Sequence, residues 1–555
     1  MADYDYVIVG AGSAGCVLAN RLSADPSLSV LLIEAGGSDW DPLVHVPLTF
    51  AQFLKSGHGN WNYVSEPEED INGRTLPLPR GKLLGGTSSI NGMTYARGNR
   101  TDYDGWQRLG AKGWSYADVL PYFKRAEGSW RGHGDFHGGD GPLGVSRPPQ
   151  DNALSAALFE AAATAGFPVK DDIHELDTEG FAPTEFTIRN GKRCSTAVGY
   201  LAPVRSRHTL TVMTGALVSR VLIENGRATG VVFADDKQET IRARREVILC
   251  GGAYNSPQLL MLSGIGPRAE LRRHGIAVIH ASEDVGRHLA EPPSITMVFD
   301  TKPDLTFAKS LRVDRLAVAA VEWVVKGEGD MSSLPMHAWS FHRTEPEAPG
   351  ADLQIMYSLT PPDSHIWVPG VNTRPHDAVS LMFSLLLPDS RGSVTLRSAD
   401  PMDAPRITLN LLHAERDLAR LVTGVKLARR VMSSAPVVEL LTGEFQPGPD
   451  VQSDEDIADF IRKSVQTSYH PTGTCRMGSD DSAVVDSQLR VNGVAGLRVV
   501  DASVFPTPVG GNTNAPTIMV AERAADLILG NRPLHDTHVP AFEAAPATQE
   551  TSHAS

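Results

Sequence analysis

A chain of 555 residues with a net charge of −14, from 65 acidic against 51 basic side chains, disfavours nucleic acid as a partner because its long-range field repels phosphate. With 41% hydrophobic and 21% charged residues it has the composition of a globular protein, and its length exceeds what one core needs, so two domains are expected. Four cysteines, Cys16, Cys194, Cys250 and Cys475, form no CxxC pair and read as reduced thiols, and no run of about eighteen apolar residues marks a membrane span.

The first element is a hydrophobic strand, Tyr6-Val7-Ile8-Val9, that runs into Gly10-Ala11-Gly12-Ser13-Ala14-Gly15. A helix-like stretch follows, and a second strand ends at Glu34. This spacing predicts a dinucleotide site. Gly10 permits the tight turn, Gly12 lets a pyrophosphate approach the backbone, and Gly15 lets helix pack on strand. The helix N-terminus at Ser13 and Ala14 offers free N–H groups to phosphate, and Glu34 would accept the hydroxyls of an adenosine ribose. Because the chain enters this strand almost at once, without a leader pattern, a cytoplasmic location is expected, with peripheral membrane contact left open.

A Gly/Pro-rich region then extends to about residue 150, with turns at Asn72-Gly73 and Gly138 to Gly141 that suit long ordered loops. Short strands are predicted from Leu210 to Phe233 around an Asn225-Gly226 hairpin turn, and Val247-Ile248-Leu249 reads as a buried parallel strand leading to the helical Leu259–Leu262 stretch. Alternating segments at Val379 to Leu387 and Gly392 to Arg397, with a helix over Glu415 to Met432, indicate a second, sheet-containing region. A last strand, Leu497 to Val500, ends in Asp501, a helix starts near Pro516, and the composition beyond about Pro533 predicts a disordered tail.

Three further blocks carry a family resemblance. The first runs Gly81-Lys82-Leu83-Leu84-Gly85-Gly86-Thr87-Ser88-Ser89-Ile90-Asn91-Gly92 and on to Asp104; the second runs Gly252-Ala253-Tyr254-Asn255-Ser256-Pro257 to Gly266. The third is Tyr469-His470-Pro471-Thr472-Gly473-Thr474-Cys475-Arg476-Met477-Gly478, followed by Asp501 and by Gly510-Gly511-Asn512-Thr513-Asn514-Ala515-Pro516-Thr517. Together they resemble the glucose-methanol-choline (GMC) oxidoreductases, nearest the bacterial branch of choline dehydrogenase-like and other alcohol dehydrogenases. The resemblance implies an α/β fold (α+β overall): a doubly wound, Rossmann-like FAD-binding domain interleaved with a sheet-containing substrate-binding domain. The expected bounds are 1–160, 190–300 and 465–535 for the first, 161–189 and 301–464 for the second, and 536–555 for the tail.

It further implies oxidation of a small-molecule primary alcohol to an aldehyde by hydride transfer to flavin N5, with electrons passed to a quinone or other carrier. Flavin would be held by Gly10, Gly12, Ser13, Ala14, Gly15, Glu34, Ala35, Gly86, Ser88, Asn91, Gly92, Met93, Thr94, Val218, Asp501, Asn512 and Thr513. Some relatives attach FAD through a histidine; the matching place here is Ile90, so non-covalent FAD is expected.

His470 is the expected base, because an imidazole titrates near neutrality. Asn512 would orient the substrate oxygen, since an amide can hydrogen-bond but cannot take the proton; a turn role in the Gly-Gly-Asn loop competes. Asp501 would accept from a ribityl hydroxyl or cap the following turn, and Val218 is either an adenine contact or a plain core valine. Tyr469 is placed at the pocket wall. The segment Val285-Gly286-Arg287-His288-Leu289-Ala290-Glu291-Pro292 departs from the relatives' V-G-x-N-L-x-D-H at His288, Glu291 and Pro292, which bears on substrate approach. His133 and His137 have metal-like spacing but no third ligand, so no metal is expected. An oxygen-reducing oxidase is the nearest alternative, and a flavin-dependent lyase or photodecarboxylase is the alternative of another class.

Overall fold

The computed structural model describes residues 3–175, 178–235, 237–534 and 539. The tail expected at 536–555 therefore lies outside the described residues except for Val539. Two sheets organise the chain, each with its own apolar core.

The first sheet is parallel at its centre, in the order Leu210–Met213, Val30–Ile33, Asp3–Val9, Thr240–Leu249, Leu497–Val499. Val7 lies opposite both Leu31 and Val247, and Val247 opposite Leu497. All four residues of Val30–Ile33 are buried. A strand covered on both faces cannot alternate with polar residues, which is why these segments read as continuous apolar runs. The helices Ser13–Leu22 and Asn514–Leu529 pack on one another against this sheet. Two antiparallel strands, Val218–Glu224 and Arg227–Phe233, extend it. Their turn places Asn225 at φ 50° and Gly226 at φ 75°, the left-handed pair that a two-residue hairpin of native twist requires.

The second sheet is antiparallel, in the order Leu441–Gln446, Thr296–Thr301, Ala378–Leu385, Leu353–Ser358, Met336–His342, Gly180–Pro183. The helix Glu415–Met432, with the bounds its periodicity predicts, buries Leu421, Val425 and Ala428 in this sheet's core. The boundaries expected at 160 and 300 fall inside the helix Ala153–Thr164 and the strand Thr296–Thr301. Both segments belong with the second sheet, because Leu154, Leu158 and Met297 bury their side chains there. The C-terminal helix starts at Asn514, so Pro516 stands inside its first turn. Among the described residues no helix is long and apolar enough to cross a membrane.

The parallel strands end on one edge, just before Gly10, Glu34 and Cys250 and two residues before Asp501. In doubly wound sheets this carboxyl edge is where ligands bind.

Candidate active site

At that edge the first glycine loop is built by close backbone approach. A Cβ on Gly15 would lie 1.9 Å from the carbonyl oxygen of Gly10, and one on Gly10, itself at φ +103°, would lie 2.4 Å from the oxygen of Cys250. Gly12 is different: the nearest heavy atom to a Cβ there is Gly86 Cα at 4.0 Å. Gly10 and Gly15 thus serve the fold, and Gly12 leaves open the space that a side chain at its position would fill. The helix Ser13–Leu22 begins at Gly12 without a side-chain cap, so its first N–H groups and its positive dipole end are available to an anion.

Glu34 is 5% exposed, and its carboxylate accepts from the amides of Ala11 and Gly36, each at 2.9 Å. Burial raises its pKa to about 7 against the pull of those amides. Ser13 Oγ donates to Asn514 Oδ1 at 2.8 Å, joining the N-termini of the first and last helices.

The block from Gly81 to Thr94 folds over the same edge. Gly86 (φ +52°) faces Gly12 so closely that its own Cβ would stand 2.7 Å from Gly12 Cα. Ser88 Oγ donates to the Gly85 carbonyl at 2.6 Å and accepts from Thr196 N at 3.0 Å. Met93 holds a left-handed φ of 58° and is fully buried, its amide donating to Asn91 Oδ1 at 3.1 Å. Ile90 packs with Val44, Phe53 and Leu83.

Behind this loop stands Arg193, 1% exposed, donating to Val44 O (2.8 Å), Asn91 O (2.7 Å) and Asn91 Oδ1 (2.8 Å). Burial lowers its pKa to about 9. A buried cation answered by neutral oxygens leaves a positive field at the loop. With the uncapped helix and the clear space at Gly12, these residues fit a bound dinucleotide.

Asp501 is already engaged by protein groups. Its Oδ2 accepts from Gly252 N at 2.8 Å and Ser256 Oγ at 2.6 Å, and its Oδ1 from Ser503 N at 2.8 Å. The capping role is therefore the one its contacts display. Thr513 precedes the C-terminal helix and its carbonyl accepts from Thr517. Val218 is buried at the start of its strand, Ala35 and Gly92 are half-buried, and Ala14 is buried inside the first helix turn.

His470 and Asn512 meet: Asn512 Nδ2 lies 3.3 Å from His470 Nε2, and Asn512 Oδ1 accepts from Gln354 Nε2 at 3.2 Å. Gln354 is fully buried in the strand Leu353–Ser358, so the second sheet reaches the pair. An amide N–H facing Nε2 requires that nitrogen to carry a lone pair, the neutral form. Burial, with the charge of Arg80 second, lowers the His470 pKa to about 3. The ring is thus neutral at ordinary pH, its Nε2 free of a proton, and gains basicity only when a negative charge develops beside it.

The turn carrying His470 is gripped from both sides. Tyr469 sits at φ +63°, costly for a residue with a side chain. Arg80 Nη2 donates to its carbonyl at 2.7 Å, while His470 N donates to Glu291 Oε1 at 2.8 Å. Glu291 is 2% exposed, and burial raises its pKa to about 7. The 285–292 segment thus lies against the base, where Ala290 also bridges Thr472 and His288 adopts a φ of 59°.

Sequence reasoning missed Gln354, Arg193, Arg80 and Asn514, and it saw Glu291 only as a departure. The two spaced histidines go separate ways: His133 pairs with Asp140 at 2.9 Å on the surface, whereas buried His137 meets Asp172 at 2.6 Å and Glu127 at 3.1 Å. Those carboxylates outweigh burial and raise the His137 pKa to about 9.

The family described as GMC oxidoreductase matches residues 4–293 and again 388–521. The chain is 43% identical to the oxygen-dependent choline dehydrogenase of Pseudomonas fluorescens (strain Pf0-1), over 98% of this chain and 97% of that protein. Among solved structures, pyridoxine 4-oxidase from Mesorbium loti superposes with a TM-score of 0.85 at 30% identity, covering 95% of this chain and 100% of that one. The formate oxidase of Aspergillus oryzae RIB40, in a mutant studied for its effect on FAD modification, superposes with a TM-score of 0.88 at 27% identity, covering 95% and 98%.

Proposed function

Because the chain belongs to the GMC oxidoreductase family, and is therefore an FAD-dependent enzyme acting on alcohol CH–OH groups, we propose that it oxidises a primary alcohol to an aldehyde with His470 as the base. The observation that carries this reading is the His470–Asn512 pair at 3.3 Å, with Asn512 in the loop whose Asn514 is bonded to Ser13 at the N-terminus of the first helix. FAD, when bound, supplies the hydride acceptor at N5. Gly12, the N-terminus of Ser13–Leu22, Glu34 and the Gly86–Thr94 loop would hold it, and buried apolar Ile90 supports non-covalent attachment.

A hydroxyl seated against the pair donates to His470 Nε2 and accepts from Asn512 Nδ2. Proton transfer leaves an alkoxide beside an imidazolium. That opposite-charge contact strengthens a base whose pKa burial otherwise keeps low. Gln354 fixes the Asn512 amide so that its N–H, not its oxygen, faces the substrate. Glu291 and Arg80 fix the Tyr469–His470 turn, which places the ring without touching the reacting atoms.

The electrons leave to a quinone or other carrier. Oxygen is the second reading, favoured by the name of the Pseudomonas relative, and choline is the first alcohol to offer. Anaerobic mixing with a panel of alcohols, choline included, tests the proposal: an alcohol substrate bleaches the flavin, and on admitting air a slow return of colour marks the carrier reading and a fast return the oxidase. Failure of every alcohol to bleach the flavin contradicts both.

A further inference from the structure

The helix Val313–Lys326 buries only Leu316 and Ala319 of its 14 residues. Its outer face is apolar: Val318, Val321, Val324 and Val325 are 69, 64, 72 and 74% exposed. At about 100° per residue these valines, with Ala317, share one side, where a helix lying on a protein in water ordinarily carries polar groups. Helix propensity does not account for them, since β-branched residues are middling helix formers. The helix's charged side chains lie at its two ends and flanks, with Asp314 paired to Arg312 at 2.5 Å and Glu322 to Lys326 at 3.7 Å.

The C-terminal end of this helix walls a cleft of about 380 Å³ lined by the exposed cations Arg189, Lys192 and Lys326 beside Trp323 and Val324, with no carboxylate among its lining residues. Arg193, also at its wall, is buried and directs its guanidinium to the Val44 and Asn91 oxygens. Trp323 Nε1 donates to Gly191 O at 2.6 Å, and Lys192 Nζ lies 5.5 Å from the Trp323 ring centre. The segment Pro42–His45 packs on Lys192–Arg193 and carries the exposed Leu43 (47%) close in sequence to Trp40 (80%). In a chain of net charge −14, a cleft edged by three exposed cations and flanked by exposed valines offers a surface of the opposite sign.

We infer that this face docks on an anionic lipid bilayer, the valines and Trp40 entering the headgroup boundary while the cleft cations meet lipid phosphate. A second copy of the chain fits the face poorly, because an isologous contact would bring the two cationic clefts together.

The test is co-sedimentation of the full-length holoenzyme with vesicles of phosphatidylcholine alone or mixed equally with phosphatidylglycerol. The wild type should pellet with the mixed vesicles, release as salt rises, and bind phosphatidylcholine alone at least about tenfold more weakly. V318D/V325D and K192Q/K326Q should each bind the mixed vesicles at least about tenfold more weakly, with the flavin spectrum and Tm of the wild type showing both to be folded. The inference is overturned if the wild type stays in the supernatant, or if the folded variants bind as it does. It is equally overturned if sedimentation without lipid shows a dimer that V318D/V325D converts to monomer.

Discussion

Gly12 and Gly15 stand in one motif, yet substituting them should produce separable failures. In Gly15→Ala the new Cβ would sit 1.9 Å from the Gly10 carbonyl oxygen, about 1.6 Å inside the roughly 3.5 Å at which non-bonded heavy atoms meet. No flexible side chain can yield, because the clashing atom is backbone and Gly10 is itself packed against Cys250. Overpacking of this kind costs about 1–3 kcal/mol, and with rigid neighbours the upper end applies. Alanine returns up to about 1 kcal/mol as a better helix former, leaving Gly15→Ala about 2 kcal/mol less stable.

At position 12 the nearest atom is 4.0 Å away and the backbone, at φ −78°, suits alanine. Gly12→Ala should therefore cost the flavin-free protein no more than about 1 kcal/mol, the difference between glycine and alanine at an N-cap. Its Cβ, however, enters the clear space assigned to the pyrophosphate. Losing one charge-assisted amide bond of about 1.5–3 kcal/mol weakens FAD binding by at least about tenfold. Denaturant unfolding of the stripped proteins, paired with FAD titration by fluorescence, reads both quantities. FAD affinity in Gly12→Ala equal to wild type, or wild-type stability in Gly15→Ala, would refute the division of roles.

Three further outcomes are expected. The Glu291 pKa is raised from 4.5 to about 7, so the native state holds this proton more tightly than the unfolded chain; that stability is full below about pH 4.5 and is lost as pH rises through about 7. Glu291→Gln removes the dependence, and its stability relative to wild type should improve by about 3 kcal/mol between pH 4.5 and 8, whereas parallel unfolding curves would count against a buried titrating carboxyl. Asn512→Ala removes the donor facing the substrate oxygen and strands Gln354 Nε2, so kcat should fall about 10²-fold in steady-state assays, and an unchanged kcat would return Asn512 to a turn role. Acid precipitation should leave flavin in the supernatant and a colourless pellet; a yellow pellet would contradict non-covalent attachment at a site whose matching residue is Ile90.

What the sequence made legible is what depends on neighbours in the chain. Gly10, Gly12 and Gly15 are readable because backbone sterics demand glycine at fixed offsets, Asn225-Gly226 because a hairpin of that length needs two left-handed residues, and Glu415–Met432 because its apolar spacing follows the helix period. Contacts between distant segments left no such mark. Gln354 lies 158 residues from Asn512, and Glu291 lies 179 from His470. A glutamine in a central strand looks like any other until the two sheets are brought together. Glu291 announced itself as a departure, but its bond to the His470 amide became visible only in space. Asp501 shows the converse: its position was readable, while its engagement with Gly252, Ser256 and Ser503 was not.

The role of His470 is tested most directly by anaerobic stopped-flow of wild type and His470→Ala against an alcohol that bleaches the wild-type flavin. The variant should retain flavin and Tm but reduce its flavin about 10²- to 10⁴-fold more slowly, the usual contribution of a positioned base. Reduction within about tenfold of the wild-type rate would show that the hydroxyl proton leaves by another route.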